Sequence, residues 1–147
     1  MRRPEPALHA RGEALFVDDL RGVEGLLQAA VYASPVARGR IIRLDTTAAE
    51  AMPGVAGVLT ARDIPGDNQI GNIFADEPLL AATEVAYVGE TIAVVVAASA
   101  ALARRAVTAI DAEFAPLPAV FTAREACDQG QFIGPPRTFS LGDVEAA

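Results

Sequence analysis

Apolar and polar residues follow one another along this chain in short runs that predict strands separated by short helices and loops. Strands are expected, in chain order, at residues 25–34, 39–46, 55–60, 84–88, 91–97 and 111–122. The run "TIAVVVA" (91–97) is almost wholly apolar, which predicts a strand in the middle of its sheet with both faces covered. The last run is broken at Pro116 and Pro118, because proline cannot donate a hydrogen bond to a sheet.

Three short helices are expected among these strands. Ser99 is a predicted N-cap for the longest of them, since its hydroxyl can accept a hydrogen bond from a free amide of the first turn. The residues expected to face inward from this helix share a spacing of three or four: Leu102, Ala106, Ala109 and Ile110. Thr47 begins a second helix, with Glu50 three residues on in the pattern of a capping box, and Thr122 begins a third.

The order of these elements indicates the fold class. Helices and strands are interleaved but their connections vary in length, so we predict an α+β fold with a mixed sheet flanked by helices. Residues 61–71 are typical of a loop led by a turn of helix, and residues 71–83, which show no regular period, of a long ordered loop. The length of 147 residues suits one domain, with a tail or without.

Composition and charge narrow the classes of protein that fit. The chain is 52% hydrophobic and 21% charged, as a globular protein is, and its net charge of −7 argues against nucleic-acid binding. The longest apolar run, residues 92–103, is too short for a membrane-spanning helix, which needs about 20 residues. No apolar stretch follows Arg2 and Arg3, so no secretory signal is expected. A single cysteine fits a reducing cytoplasm.

Few residues are candidates for nucleophilic or metal chemistry. Cys127 has acidic neighbours, which disfavour a thiolate, and we expect it to serve in packing. His9 is the one histidine of the sequence and is expected to be a flexible surface residue. A lone histidine completes neither a catalytic triad with Cys127 nor a metal cluster.

Acidic residues are the remaining candidates. Adjacent acidic pairs at 18–19 and 76–77 point to opposite faces of an extended chain, so neither pair forms a site by itself. Asp63, Asp67 and Asn68 offer oxygen ligands but lack the spacing of a calcium loop. We expect a turn held by side-chain-to-backbone hydrogen bonds there instead. These patterns by themselves assign no catalytic residue.

Six stretches of the sequence, in this order and spacing, resemble one domain family. They are "GEALFVDDL", "ASPVARGRI", "GVAGVLTARDIPGDNQIG", "DEPLLA", "VAYVGETIAVVVA" and "DAEFAPLPAVFT". Together they resemble the N-terminal hammerhead domain of the molybdenum-binding subunit of xanthine dehydrogenases and aldehyde oxidases. The closing "FIGPPRTFSLGDVEAA" resembles the segment leading into the rest of that subunit, and "DVEAA" looks like the start of a helix. The resemblance implies a lead at residues 1–11, a hammerhead domain at 12–130 and a linker at 131–147.

The resemblance also implies a function for the whole enzyme. It implies an α/β hammerhead fold in a cytoplasmic molybdenum hydroxylase that oxidises hypoxanthine and xanthine in purine catabolism, using molybdopterin with molybdenum, 2Fe-2S clusters and FAD. In the family the molybdopterin loops and catalytic glutamates lie downstream, so this chain is expected to bind no cofactor or metal and to be inactive alone. Its expected partners are the remaining molybdopterin-binding domains and the iron–sulfur and FAD subunit or domains. Faces that meet them are expected to be apolar enough for the isolated chain to self-associate.

One loop carries the site that the resemblance implies. In the family the loop before the acidic pair, "IFADE" here, lines the funnel through which substrate reaches molybdenum, which places Ile73 and Phe74 in the channel wall. The alternative is that Phe74 packs against the domain's own sheet. Glu90 stands where the family commonly has glutamine, and Arg38 where it commonly has histidine. Both are expected at the surface or at domain contacts.

Two other functions stay open from the sequence. The chain could be a stand-alone interaction or binding module that kept the hammerhead fold without the catalytic half. It could also be a small independent enzyme, which a lone His9 and a lone Cys127 argue against. The leading interpretation is a non-catalytic domain of a molybdenum hydroxylase.

Overall fold

The computed structural model of the 147-residue chain describes residues 5–19, 24–135, 137–139 and 141–143. The strands are β1 (Gln28–Ala33), β2 (Gly39–Asp45), β3 (Val55–Thr60), β4 (Glu84–Val85), β5 (Thr91–Ala97) and β6 (Asp111–Pro116). The helices are α1 (Glu5–Arg11), α2 (Thr47–Glu50), α3 (Ala100–Val107) and α4 (Ala123–Asp128). Short 3-10 turns lie at Val17–Asp19 and Ala61–Asp63. The stretch predicted to start a helix is residues 143–147, and of these 144–147 lie outside the described residues.

The described strands form two antiparallel sheets of three strands each, in the orders β1-β5-β3 and β4-β2-β6. The α+β class is as predicted, and one detail is corrected: two antiparallel sheets replace a single mixed sheet. The physical reason is that α3 connects β5 in one sheet to β6 in the other, so it is not a crossover between parallel neighbours.

Strand β5 lies between β1 and β3, which confirms its predicted central position. Helix α3 packs on β1 and β5 from one side. The other side, which we call the outer face, is only partly covered, since Val94 and Val96 of β5 are half-buried and Val31 of β1 is exposed. The prediction that both faces of this strand are covered was therefore wrong for the outer face.

Two clusters of buried residues form the core. The first lies between the β1-β5-β3 sheet and the helices: Ala49, Val58, Ala93, Val95, Ala106 and Ile110. The second joins the two sheets and consists of Ala81, Val85 and Ile92. Tyr32 packs against both clusters, and its burial, followed by the charge of Asp111, raises the pKa of its hydroxyl.

Two of the three predicted helix starts are confirmed by their caps. The Ser99 hydroxyl accepts a hydrogen bond from the Leu102 amide at 3.3 Å, and the Thr122 hydroxyl accepts one from the Glu125 amide at 3.2 Å. Such bonds satisfy amides that have no partner inside the helix.

The third helix begins where predicted but is capped differently. Thr46, not Thr47, is the N-cap residue of α2, and its side chain makes no capping bond to the backbone. Its hydroxyl donates to the Glu50 carboxylate at 2.6 Å, and Asp45 accepts from the Thr47 amide at 3.0 Å. The capping box predicted at Thr47 was therefore wrong, because the Thr47 amide donates its hydrogen bond to the Asp45 carboxylate.

Helix α1 was missed by the sequence reasoning, which treated residues 1–11 as a lead. His9 lies on this helix and is exposed, as predicted, with its ring 5.5 Å from that of Phe16. No helix within the described part of the chain is long and apolar enough to cross a membrane.

Candidate functional site

The loop of residues 68–80 carries the predicted channel residues, and Asn68 closes its base. The Asn68 amide nitrogen donates to the Leu80 carbonyl at 2.6 Å, and the Leu80 amide donates to the Asn68 side-chain oxygen at 2.9 Å. The next residue, Ala81, is buried and donates its amide to the Thr91 carbonyl of β5 at 2.8 Å. The loop is therefore fastened to the core at its C-terminal end.

Gln69 ties the two arms of this loop together. Its side-chain oxygen accepts hydrogen bonds from the amides of Ile70, Gly71 and Glu77 at 2.8–2.9 Å. The Ile70 amide also lies 2.9 Å from the Glu77 carbonyl. Sequence reasoning missed Gln69, since a glutamine that bonds across eight residues leaves no periodic signal.

The tip of the tied loop presents two large apolar side chains to solvent. Ile73 is 87% exposed and Phe74 is 69% exposed. The alternative that Phe74 packs against the domain's own sheet was therefore wrong. An ordered loop that holds an aromatic and an aliphatic side chain in water is typical of a surface that another group covers.

The segment predicted as a turn held by side chains is such a turn. The Asp63 carboxylate accepts from the backbone amide of Thr60 at 2.7 Å and from its hydroxyl at 2.9 Å, completing a capping box. These two bonds hold the pKa of the Asp63 carboxyl below its usual range, the backbone bond being the larger cause. Asn68 is occupied by Leu80, as described above.

This bonding predicts a dependence of stability on pH. Since the pKa of Asp63 is lower in the folded chain, its contribution is present above the unfolded value of about 3.9 and is lost as pH falls through the folded value. We expect the melting temperature of Asp63→Asn to lie below that of the unsubstituted chain at pH 5, and the difference to narrow as pH falls below about 3.9. Thermal melts followed by circular dichroism measure this.

Asp67→Asn, in the same turn, is the matched control. Its difference from the unsubstituted chain should stay small from pH 5 to pH 3. A gap between Asp63→Asn and the unsubstituted chain that widened on acidification would contradict the assigned role of Asp63.

Glu90 departs from its expected position. It was predicted at the surface or at a domain contact, but it is 6% exposed. Its carboxylate accepts a hydrogen bond from the Ala86 amide within its own turn, and its carbonyl accepts from Ser34 at 2.8 Å. The same turn, with Gly89 at a φ of 95°, ends β4 at Val85 and shortens the predicted strand 84–88.

Of two further predictions, the one for Arg38 is confirmed and the one for Cys127 is wrong. Arg38 lies on the surface, as expected, and donates to the Pro118 carbonyl at 3.0 Å. Cys127 is exposed, so the predicted packing role was wrong in this chain. The reason is that α4, on which Cys127 lies, buries none of its residues against the rest of the chain.

Two grooves are both lined in part by Thr60 and Asp63, the residues of the capping box. One, of about 440 Å³, is lined largely by polar groups of β2, β3 and the following turn, including Arg43 and Arg62. Arg43 is already bound to Asp111 at 2.6 Å, which raises the pKa of its guanidinium. The other groove, of about 430 Å³, is mainly apolar, with these nonpolar lining residues: Leu59, Ile64, Pro65, Leu79, Leu80 and Val94.

The described residues do not fit a metal centre. Within residues 5–19, 24–135, 137–139 and 141–143, no three His, Cys, Asp or Glu side chains converge as metal ligands would. With Cys127 as the one cysteine of the sequence, these residues also cannot supply the several thiolates that hold an iron–sulfur cluster.

The α+β fold of this chain has counterparts among known proteins. Residues 11–118 match the family model described as "Aldehyde oxidase and xanthine dehydrogenase, a/b hammerhead domain". The chain therefore belongs to the aldehyde oxidase and xanthine dehydrogenase family, as the resemblance of its sequence implied.

Individual relatives agree with this assignment. The chain is 40% identical to aldehyde oxidase 4 of Cavia porcellus, a match that covers 95% of this chain and 10% of that protein. It is 36% identical to the xanthine dehydrogenase/oxidase of Mus musculus, over 97% of this chain and 11% of that protein. The crystal structure of quinoline 2-oxidoreductase from Pseudomonas putida 86 superposes with a TM-score of 0.77 at 34% identity, over 87% of this chain and 17% of that one. The chain thus spans about a tenth of the length of the curated relatives that it matches.

Proposed function

We propose that this chain is the structural and substrate-channel domain of a molybdenum hydroxylase, with no catalytic residue of its own. The observation that carries the proposal is the tip of the 68–80 loop. Ile73 and Phe74 are held in water by a loop that the hydrogen bonds of Asn68 and Gln69 fasten. An apolar surface fixed in this way can guide a flat aromatic substrate but cannot transform it.

Membership of the family supports a proposal for the wider setting of this domain. We propose a hammerhead domain at residues 12–130, with a lead at 1–11 and a linker at 131–147 toward molybdopterin-binding domains. The whole enzyme would use molybdopterin with molybdenum, 2Fe-2S clusters and FAD, and would oxidise purines such as hypoxanthine and xanthine in the cytoplasm. Its partners would be the remaining molybdopterin-binding domains and the iron–sulfur and FAD subunit or domains.

A graft into a relative tests this function. In Pseudomonas putida quinoline 2-oxidoreductase, the segment that aligns with residues 12–130 of this chain is replaced by those residues, and a second protein carries only the deletion. We expect the graft to assemble with its cofactors and to oxidise quinoline, and the deletion to do neither. A graft that fails to assemble, while the isolated chain is folded by circular dichroism, would contradict the proposed function.

The channel role of Phe74 gives a quantitative prediction. In the graft, Phe74→Ala should raise KM for quinoline about 3- to 10-fold with kcat nearly unchanged, because a channel wall contacts substrate equally before and during the reaction. Steady-state kinetics measure both constants. Phe121→Ala is the matched control, since Phe121 is also an exposed phenylalanine but lies outside the 68–80 loop. Equal effects of the two substitutions would remove Phe74 from the channel.

One observation also favours a stand-alone binding module. Large apolar side chains are exposed in several parts of the described chain, including Leu59, Ile73 and Phe132. Such surfaces can bind a separate protein as well as an attached domain. On either view we propose that the isolated chain self-associates weakly.

A further inference from the structure

The outer face of the β1-β5-β3 sheet is apolar across all three strands. Val31 of β1 and Leu59 of β3 both pair with Val94 of β5, so the three side chains form one row across the sheet. Val31 is 51% exposed and Leu59 is 49% exposed. The apolar groove continues this row past β3 to Ile64 and Leu79.

This outer face carries little charge although the chain as a whole is strongly acidic. Among the residues that line the groove beside Leu59, only Asp63 is ionisable, and its carboxylate is bound to Thr60. Apolar side chains on an uncovered sheet face stay in contact with water, and burying them under another group is favourable. The outer face therefore has the composition of an interior surface.

The size of the outer face indicates what covers it. Three strands about 4.8 Å apart and six residues long span roughly 15 by 20 Å, or about 300 Å². A stable dimer needs about 800 Å² from each partner, and two copies with a net charge of −7 each would also repel one another. A segment of the same polypeptide needs far less area, because attachment already holds it at a millimolar effective concentration.

We propose that the outer face of the β1-β5-β3 sheet docks an apolar segment of the polypeptide that adjoins this domain in the full enzyme. This inference rests on the proposed function, since it requires the rest of the enzyme to be present. The row of Val31, Val94 and Leu59 is the centre of the contact. The edge of the docked segment lies in the groove at Ile64 and Leu79.

Lysine substitutions in the graft test this docking. Val31→Lys and Leu59→Lys place a charge in the centre of the face, and Ile42→Lys is the matched control. Ile42 is 55% exposed on β2 of the other sheet, so its exposure resembles that of the two test positions. We expect each test substitution to lower the yield of assembled graft at least about tenfold relative to Ile42→Lys, because a buried unpaired charge is strongly disfavoured.

Melting curves of the isolated 147-residue chain show whether a lysine variant has lost stability of its fold, as opposed to the docking contact. All three lysine variants should melt within a few degrees of the unsubstituted chain, since each replaced side chain is about half exposed. Equal yields of assembled graft from the test variants and the control would overturn the docking proposal and leave the proposed function standing. Failure of the unsubstituted graft would instead overturn the proposed function, and the docking proposal with it.

Sedimentation of the isolated chain distinguishes a second copy from an attached segment. If an attached segment covers the outer face, the isolated chain should be a monomer at micromolar concentration, with at most weak association at higher concentration. A micromolar dimer that both test lysines dissociate, together with a graft that tolerates them, would identify a second copy as the occupant and overturn the proposal.

Discussion

Replacing Ile92 with alanine is expected to lower the free energy of unfolding by about 2–5 kcal/mol. Ile92 is fully buried, and its cluster includes Ala81 and Val85. Two partly buried residues of the other sheet, Ile41 and Phe114, also pack against this cluster. Because neighbours from both sheets are fixed by their own hydrogen bonds, the cavity left by three lost carbons cannot collapse fully.

Thermal and urea unfolding measure this effect. For a domain of this size the loss corresponds to a fall of roughly 5 to 15 °C in melting temperature. Ile92→Val is the graded control and should cost about 0.5–1.5 kcal/mol. Ile42→Ala, at an exposed position on β2, should cost less than either. An Ile92→Ala variant that melted with the unsubstituted chain would mean that the two sheets do not share this core.

Replacing Gly71 with alanine is expected to open the tied loop. A Cβ built on Gly71 overlaps the carbonyl oxygen of Phe74, and backbone cannot move away as a flexible side chain can. The Gly71 amide would then lose its bond to Gln69, and the cost is about 1–3 kcal/mol from strain and the lost bond. Hydrogen exchange of the amides of Gly71 and Glu77 should accelerate at least about tenfold.

Gly66→Ala is the control for the loop substitution. A Cβ on Gly66 meets nothing within 4 Å, so its effect should stay within about 1 kcal/mol of zero. In the graft, Gly71→Ala should also reproduce the rise in KM expected for Phe74→Ala, because it displaces the same side chain. Unchanged exchange at Glu77 would contradict the role given to the Gln69 hydrogen bonds.

Local signals in the sequence predicted much of the fold. A hydroxyl followed by helix-forming residues located the starts of α3 and α4 at Ser99 and Thr122, since capping needs only neighbouring residues. The apolar run of β5 predicted its central position correctly, because apolar strands are favoured between two neighbouring strands. These features depend on a few adjacent residues, which the sequence displays directly.

Features that depend on distant partners could not be read in this way. In the sequence Glu90 resembles a surface carboxylate, and only the folded turn brings it to the Ala86 amide. Gln69 links the two arms of the loop only because the fold places the Glu77 amide beside its side chain. The outer face of β5 was expected to be covered because its sequence is apolar, but the chain described here supplies helices to one side only. The candidate site itself came from resemblance to a family, since Ile73 and Phe74 carry no chemical motif.

Oxidation of quinoline, measured side by side for the graft and for the isolated 147-residue chain, tests most directly whether this domain supports catalysis without performing it. We expect turnover by the graft, none by the deletion and none by the isolated chain with an artificial electron acceptor. Turnover by the isolated chain, or a folded and cofactor-loaded graft that turns over no better than the deletion, would contradict this expectation.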